Sequence, residues 1–322
     1  MRVITGAAGF IGSCLLTDVK EKYPDEKVVI VDHFNREDKR QNYLDKSNVE
    51  QVDRDKFDSW LQANKNQVTK IYHLGARTDT TLLDKEIFDR LNLDYSKMIW
   101  RHCVDHQIPL LYASSAATYG NGEQGFDDSH AIVPSLVPLN PYGDSKQDFD
   151  QWVLSQKETP PNWYGVKFFN VYGPNEYHKG RMASVIFHTY HQILKTGGMK
   201  LFKSHRDDYQ DGEQSRDFVY VKDVTQMCIH LIEENPESGL YNIGTGKART
   251  FYDLAASTFR AMNLTPKINF IDTPIDIRDN YQYFTEANMD KLRSTQYTTP
   301  FYSLEDGVTD YVQQYLMDTF YY

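Results

Sequence analysis

Cysteine is scarce in this chain. Cys14, Cys103 and Cys228 are scattered over 322 residues, too few and too far apart for a disulfide framework or a thiolate zinc site, which points to a reducing compartment. Long apolar runs are missing too: no stretch approaches the 18 continuous apolar residues of a transmembrane helix. The charged and then apolar opening of a signal peptide is absent, because Arg2-Val3-Ile4-Thr5 already reads as a strand. Positive charge is outweighed, and a net charge of -10 argues against a general affinity for nucleic acid or anionic membranes. Neither an internal repeat nor a low-complexity segment is found. The expected setting is the cytoplasm, with no nucleic-acid and no membrane partner. What remains is globular: 40% hydrophobic residues, with 18 Gly and 12 Pro, in a chain long enough for one large domain or two moderate ones.

The first strand runs straight into Gly6-Ala7-Ala8-Gly9-Phe10-Ile11-Gly12 and then a helical stretch to about Lys22. Gly6 permits a tight turn, Gly9 lets backbone N–H groups approach a pyrophosphate, and Gly12 lets the helix pack closely on the strand. The spacing is GxxGxxG. A second apolar strand, Lys27-Val28-Val29-Ile30-Val31-Asp32, ends in an acid about twenty residues after the last glycine, where a ribose hydroxyl is expected. Asp32 favours NAD, whereas Arg36, Lys39, Arg40 and Arg54 can hold the 2′-phosphate of NADP. Further strands are expected at 70–76, with Gly75-Ala76 at its cofactor-facing exit, at 109–113 and at 164–169. They alternate with helices around 56–64, 87–106 and 142–156. This alternation predicts an α/β fold, a Rossmann-type doubly wound parallel sheet. Asn170-Val171-Tyr172-Gly173-Pro174-Asn175 reads as turn chemistry and marks a boundary. The dinucleotide-binding domain is therefore expected over 1–169, with the chain returning to it around 217–246. Residues 170–322 are expected to form mainly a smaller α/β substrate-binding domain. The grouping His102, Cys103 and His106 on one helix lacks further ligands nearby and reads as a solvated surface, so no metal is expected.

Tyr142-Gly143-Asp144-Ser145-Lys146 places a phenol and an ammonium one helical turn apart on one face. An adjacent cation favours the ionised phenol and makes it usable for proton transfer. Ser114-Ser115 falls at a strand's carboxyl end, where a hydroxyl can hydrogen-bond a substrate oxygen beside Tyr142. Basic residues, among them His178, Lys179, Arg181, His188, Lys203, His205, Arg206 and Arg216, concentrate between 177 and 216 and suit a nucleotide diphosphate.

In their order these motifs resemble the extended short-chain dehydrogenase/reductase family of nucleotide-sugar epimerases and dehydratases: the glycine turn, Asp32, His73-Leu74-Gly75-Ala76, Ser114-Ser115, Tyr142 with Lys146, Asn170 to Pro174, and Arg216-Asp217-Phe218-Val219-Tyr220-Val221. The resemblance covers nearly the whole chain. More narrowly, Tyr112 to Gly120, His178-Lys179-Gly180, Met182 to Val185 and Phe187-His188 resemble the branch that inverts C6 of an ADP-bound heptose destined for the lipopolysaccharide inner core. That branch implies transient oxidation at C6 and return of the hydride to the opposite face, with NADP held tightly and NAD as the other candidate. It implies Tyr142 and Lys179 as acid/base groups and Ser115 as a hydrogen-bond partner of the C6 oxygen. Lys146 is then the residue that binds the nicotinamide ribose and lowers the tyrosine pKa.

By the same resemblance, cofactor contacts fall on Phe10, Ile11, Asp32, His33, Lys39, Arg54, Leu74, Gly75, Ala76, Arg77, Thr78, Asn92, Lys146 and Val171, beside Gly6, Gly9 and Gly12. Substrate contacts fall on Asn170, His188, Phe202, Lys203, Ser204, His205, Arg216 and Tyr281, with Arg181 in the same region. A nucleotide-sugar substrate and a homo-oligomer are implied. The chain departs from the branch at Leu74, where an acid is expected, at Arg181, where a small residue is expected, and in a longer 203–216 loop. A 4,6-dehydratase would carry an acid where Ala116 and Ala117 stand. A UDP-hexose 4-epimerase would not require Lys179. A non-catalytic dinucleotide sensor would not need Tyr142, Lys146 and Ser115 together.

Overall fold

The computed structural model describes residues 1–44, 46–278 and 281–322. Short apolar strands form its centre: β1 (Arg2–Thr5), β2 (Val28–Asp32), β3 (Val49–Asp53), β4 (Lys70–His73), β5 (Leu110–Ser115), β6 (Trp163–Phe168) and β11 (Gly239–Ile243). They are rich in β-branched and aromatic residues and are mostly buried on both sides, as a parallel sheet covered by helices requires. The seven pair in parallel in the order β11-β6-β5-β4-β1-β2-β3.

Alternation along each strand sends neighbouring side chains to opposite faces. Ile4, Ile30, Tyr72, Leu111 and Tyr164 pack with α1 (Phe10–Lys22) and, further along the chain, the helix at Val221–Glu234. Val3, Val29, Ile71, Leu110 and Tyr112 pack with α2 (Phe57–Asn64) and with helices at Tyr95–Asp105 and Pro141–Ser155. In register, Thr5 lies opposite Val31 and His73, and Ser115 opposite Phe168, so the carboxyl ends of five strands share one edge. The strand order reverses between β1 and β4, the switch point where such sheets bind ligands.

The expected helix over 87–106 begins earlier and is not uniform. It comprises α3 (Lys85–Phe88), a π-helical segment at Asp89–Asp94 and α4 (Tyr95–Asp105). Asp84 caps its start by accepting the Glu86 and Ile87 N–H groups. Next come α5 (Pro141–Ser155), α6 (Val185–Thr196), α7 (Val221–Glu234) and α8 (Phe251–Ala261).

The expected turn at 170–172 is instead a strand, β7 (Asn170–Tyr172), paired in parallel with β10 (Phe218–Tyr220). Turn-prone Asn170 is accommodated because this strand is short and its partner is equally short. Two further small pairs, β8 (Met199–Phe202) with β13 (Ile268–Ile271) and β9 (Ser215–Arg216) with β12 (Arg249–Thr250), lie outside the main sheet. No helix among the described residues is long and apolar enough to cross a membrane.

Candidate active site

At the switch point the chain opens into a cleft of about 680 Å³. Gly6 leaves β1 with φ of +72°, and a Cβ there would stand 2.6 Å from the Gly75 nitrogen. A Cβ at Gly12 would stand 2.2 Å from the Gly6 oxygen. Both positions therefore exclude a side chain. Helix α1 starts after Gly9 with no side-chain cap and no acid in its first turn, and Gly9, Phe10, Ile11 and Gly12 line the cleft. Unsatisfied N–H groups at such a terminus suit a pyrophosphate.

One acid and three cations line the far end of the cradle. The Asp32 carboxylate accepts the Ala8 N–H at 3.1 Å and the His33 N–H at 2.7 Å, and Lys39 Nζ lies 3.6 Å away. Arg36 and Arg54 line the same cleft, although each also pairs with a local acid, Asp38 and Asp55. His33 lies 3.4 Å from Asp53. The arrangement fits a nicotinamide dinucleotide: glycine cradle, bare helix terminus and a polar seat for the ribose.

The opposite wall is Leu74, Gly75, Ala76, Arg77 and Thr78, all on the cleft. Leu74, where an acid was expected, donates its N–H to the Thr5 carbonyl at 3.1 Å and packs against the core. Asn92 is not on the cleft but behind it. Its side chain accepts the Arg77 N–H at 2.8 Å and donates to the Arg77 carbonyl and the Ser145 hydroxyl, both at 3.0 Å. The π-helical segment carries Asn92 inward, and such segments frequently mark functional sites. His73 sits beneath this wall, between the Thr5 hydroxyl at 2.6 Å and the Ser96 hydroxyl at 2.9 Å. Burial, helped by the Lys146 charge, lowers its pKa to about 3, so the ring is neutral.

On the sheet side of the cleft Tyr142 follows Pro141 at the start of α5, and Asn140 caps the helix through the Gly143 N–H at 2.9 Å. Tyr142, Lys146 and Ser115 line the same cleft. Enclosure raises the Tyr142 pKa, and the Ser115 hydroxyl acts in the opposite direction. The expected lowering by Lys146 is not seen, since that ammonium is directed to the Ala113 carbonyl at 2.7 Å. Burial lowers the Lys146 pKa to about 8, and Asp150, one turn further along α5, opposes that fall.

Asp150 is itself fully buried and pairs at 2.7 Å with fully buried Lys167 of β6. The carboxylate also accepts the Ser114 and Tyr112 hydroxyls. Lys167 donates to Thr118, whose hydroxyl donates to the Ser115 carbonyl at 2.8 Å. This network rivets α5 to β5 and β6 directly below the tyrosine. Its sequence signals are an acid four residues after Lys146 and a lysine inside an apolar strand.

Lys179 enters from the other side on a 3₁₀ turn at Tyr177–Met182. It lines the cleft, with Nζ 4.9 Å from the centre of the Phe10 ring. Burial lowers its pKa while Glu176 opposes that shift, which favours a neutral amine more than at an exposed lysine. His178 also lines the cleft, and burial lowers its pKa to about 4. Asn170 and Val171 of β7 complete this face.

The remaining expected substrate residues lie beyond the cleft. Arg216 is buried between the rings of Phe251 and Tyr281, at 5.6 and 5.7 Å, and donates to the Ser215 and Gln282 carbonyls. No ion pair with a carboxylate is seen for it among the described residues. Phe202 and His205 flank Tyr281, and Phe251 lines the cleft, so this group continues it. Ser204 is tied into the 203–216 loop through Asp211, and Lys203 is exposed and paired with Asp272. Arg181 is exposed and lies 3.8 Å from Asp79, while His188 is exposed beside the Arg181 carbonyl. Away from the site, His102 pairs with Asp58 and Cys103 is buried in the core.

The geometry defines a dinucleotide cleft with a phenol on one side and a half-buried lysine on the other. The chain belongs to the NAD dependent epimerase/dehydratase family, whose pattern matches residues 2–244. Among its relatives, ADP-L-glycero-D-manno-heptose-6-epimerase of Fusobacterium nucleatum is 45% identical over 98% of both chains. The enzyme of that name from Nitratidesulfovibrio vulgaris strain DP4 is 45% identical, again over 98% of both. The crystal structure of the Helicobacter pylori ADP-L-glycero-D-manno-heptose-6-epimerase superposes with a TM-score of 0.81 at 28% identity, covering 97% of this chain and 95% of that one.

Proposed function

We propose that the protein interconverts ADP-D-glycero-D-manno-heptose and ADP-L-glycero-D-manno-heptose by transient oxidation at C6. The observation that carries this reading is the pair Tyr142 and Lys179, two proton-transfer groups lining one cleft beside the dinucleotide cradle. The hydrogen on C6 is far too weakly acidic for direct removal, so inversion needs a redox detour. Bound nicotinamide supplies hydride acceptance and return. C6 carries C7, so losing a hydride and the hydroxyl proton leaves a ketone.

Hydride return to the other face requires the carbonyl to turn over, which places its oxygen in two positions. Each position needs its own proton donor and acceptor. Tyr142 serves one, with Ser115 hydrogen-bonding the oxygen. Lys179 serves the other, and its burial makes the amine form accessible. Arg216, stacked between two rings, suits the diphosphate and fixes the sugar relative to both groups. A 4-epimerase would leave Lys179 without a task.

The finer reading is NADP, on the strength of Arg36, Lys39 and Arg54 around Asp32, and a homo-oligomer in the cytoplasm. Denaturing purified protein and identifying the released dinucleotide tests the first point; NAD alone would contradict it. The reaction is tested by incubating the protein with ADP-D-glycero-D-manno-heptose, without added cofactor, and following C6 by NMR. A mixture of both epimers is expected. No conversion by folded protein supplied with NADP would sink the proposal.

A further inference from the structure

We propose that the C-terminal segment from Tyr311 to Tyr322 positions Lys179 for proton transfer. The inference rests on the acid/base task given to Lys179 above. Three consecutive residues precede His178-Lys179, and each is held by a different point of that segment.

Asn175 is fully buried with φ of +72°. Its side chain pairs with the backbone of Tyr322, accepting the N–H at 2.8 Å and donating to the carbonyl at 3.2 Å, and it also donates to Ser13 of α1 at 3.0 Å. Glu176 is fully buried as well. Its carboxylate accepts the Tyr311 hydroxyl at 2.9 Å, together with the N–H and hydroxyl of Ser184. The Tyr177 hydroxyl is 2.9 Å from both the Tyr315 and Phe320 carbonyls, and its ring meets Tyr321 at 4.9 Å. Tyr322 is anchored in turn, its hydroxyl donating to Asp18 of α1 and its carbonyl accepting from Thr17 at 3.0 Å.

The turn closes locally, the Lys179 N–H donating to the Glu176 carbonyl at 3.0 Å and the Ala183 N–H to the Gly180 carbonyl at 3.1 Å, and Arg36 and Asn42 donate to the His178 and Asn175 carbonyls. Gly180 follows Lys179 with φ of +53°. To these contacts Tyr311, Tyr315, Phe320 and Tyr322 add tethers from more than 130 positions away. Glu176, oriented by Tyr311 and Ser184, is also the carboxylate that acts on the Lys179 charge. Holding a reacting group within a fraction of an ångström matters for rate, because small misplacements from distant changes cost large factors.

Three variants test this: Tyr177→Phe, which removes one hydroxyl and keeps the ring; a chain ending at Thr319; and Lys179→Met as reference. Each is loaded with cofactor and mixed with one epimer at a time. Absorbance at 340 nm follows cofactor reduction in a single turnover, and deuterium uptake is followed over 174–183. The truncated chain is expected to share the asymmetry of Lys179→Met at smaller size. One epimer should lose at least about tenfold in rate while the other stays within about twofold, and uptake over 174–183 should rise. Tyr177→Phe should show the same asymmetry at about threefold to tenfold, the worth of one net hydrogen bond. Equal slowing with both epimers, or unchanged rates and uptake, would overturn the clamp. If the parent protein reduces its cofactor with neither epimer, the proposed function fails; raised uptake would then still support the clamp and unchanged uptake would reject it.

Discussion

The two sides of the cleft solve one problem by different physics. On the Tyr142 side the reacting group stands on the first turn of α5, pinned to the sheet by the buried Asp150–Lys167 pair and its hydroxyl partners. On the Lys179 side it stands on a 3₁₀ turn next to a glycine in left-handed conformation, held by tethers from the C-terminal segment. The first side is part of the sheet's own packing. The second is a single 3₁₀ turn to which a distant segment adds tethers.

The largest effect on the Tyr142 side is expected from Asp150→Asn. It leaves the Lys167 ammonium buried without its counter-ion, and removing one partner of such a pair costs about 3–5 kcal/mol. Urea unfolding should show that loss, and Asp150→Asn with Lys167→Met should recover much of it. A loss below about 1 kcal/mol would mean that the Tyr142 side is not held by this pair.

His73 sharpens the same side. Its pKa is about 3 in the folded protein against 6.5 for the free group. Between those values the unfolded chain binds the extra proton, so stability falls as pH drops from about 6.5 toward 3. The full span corresponds to roughly 5 kcal/mol at most. His73→Asn should flatten that part of the stability profile, as measured by urea titration across the window.

A smaller effect concerns Lys146, whose pKa near 8 places the loss of its charge just above neutrality. Turnover should decline above about pH 8 as Lys146 loses the charge with which it would hold the nicotinamide ribose. A rate flat to pH 10 would remove Lys146 from the account. Least of all, Arg181→Ser should change KM by less than about threefold, since an exposed pair at 3.8 Å from Asp79 adds little. A larger change would give the Lys179 side a charged latch.

The difference between the sides also decided what could be read from the chain. The cradle and the Tyr142 side are written in contiguous residues: Gly6 to Gly12, Ser114-Ser115, and Tyr142 with Lys146 one turn on. Helix and strand periodicity suffice to bring these together. The Lys179 side needs Asn175 to meet Tyr322 and Tyr177 to meet Phe320, pairings with no local pattern. Asn92 was expected on the cofactor and is found bonded to the Arg77 backbone and the Ser145 hydroxyl, partners that no local sequence pattern announces. Likewise Asn170 to Tyr172 reads as a turn until a partner strand at 218–220 is known.

In the proposed function the two sides serve the two orientations of one C6 oxygen. The direct test mixes cofactor-loaded Tyr142→Phe and Lys179→Met separately with each epimer and records first-turnover absorbance at 340 nm. A crossed pattern is expected, in which each variant fails by about 10²-fold or more with the epimer that the other still oxidises. Loss of both epimers in Tyr142→Phe alone, with Lys179→Met unimpaired, would contradict it and leave the tyrosine as the single acid/base group.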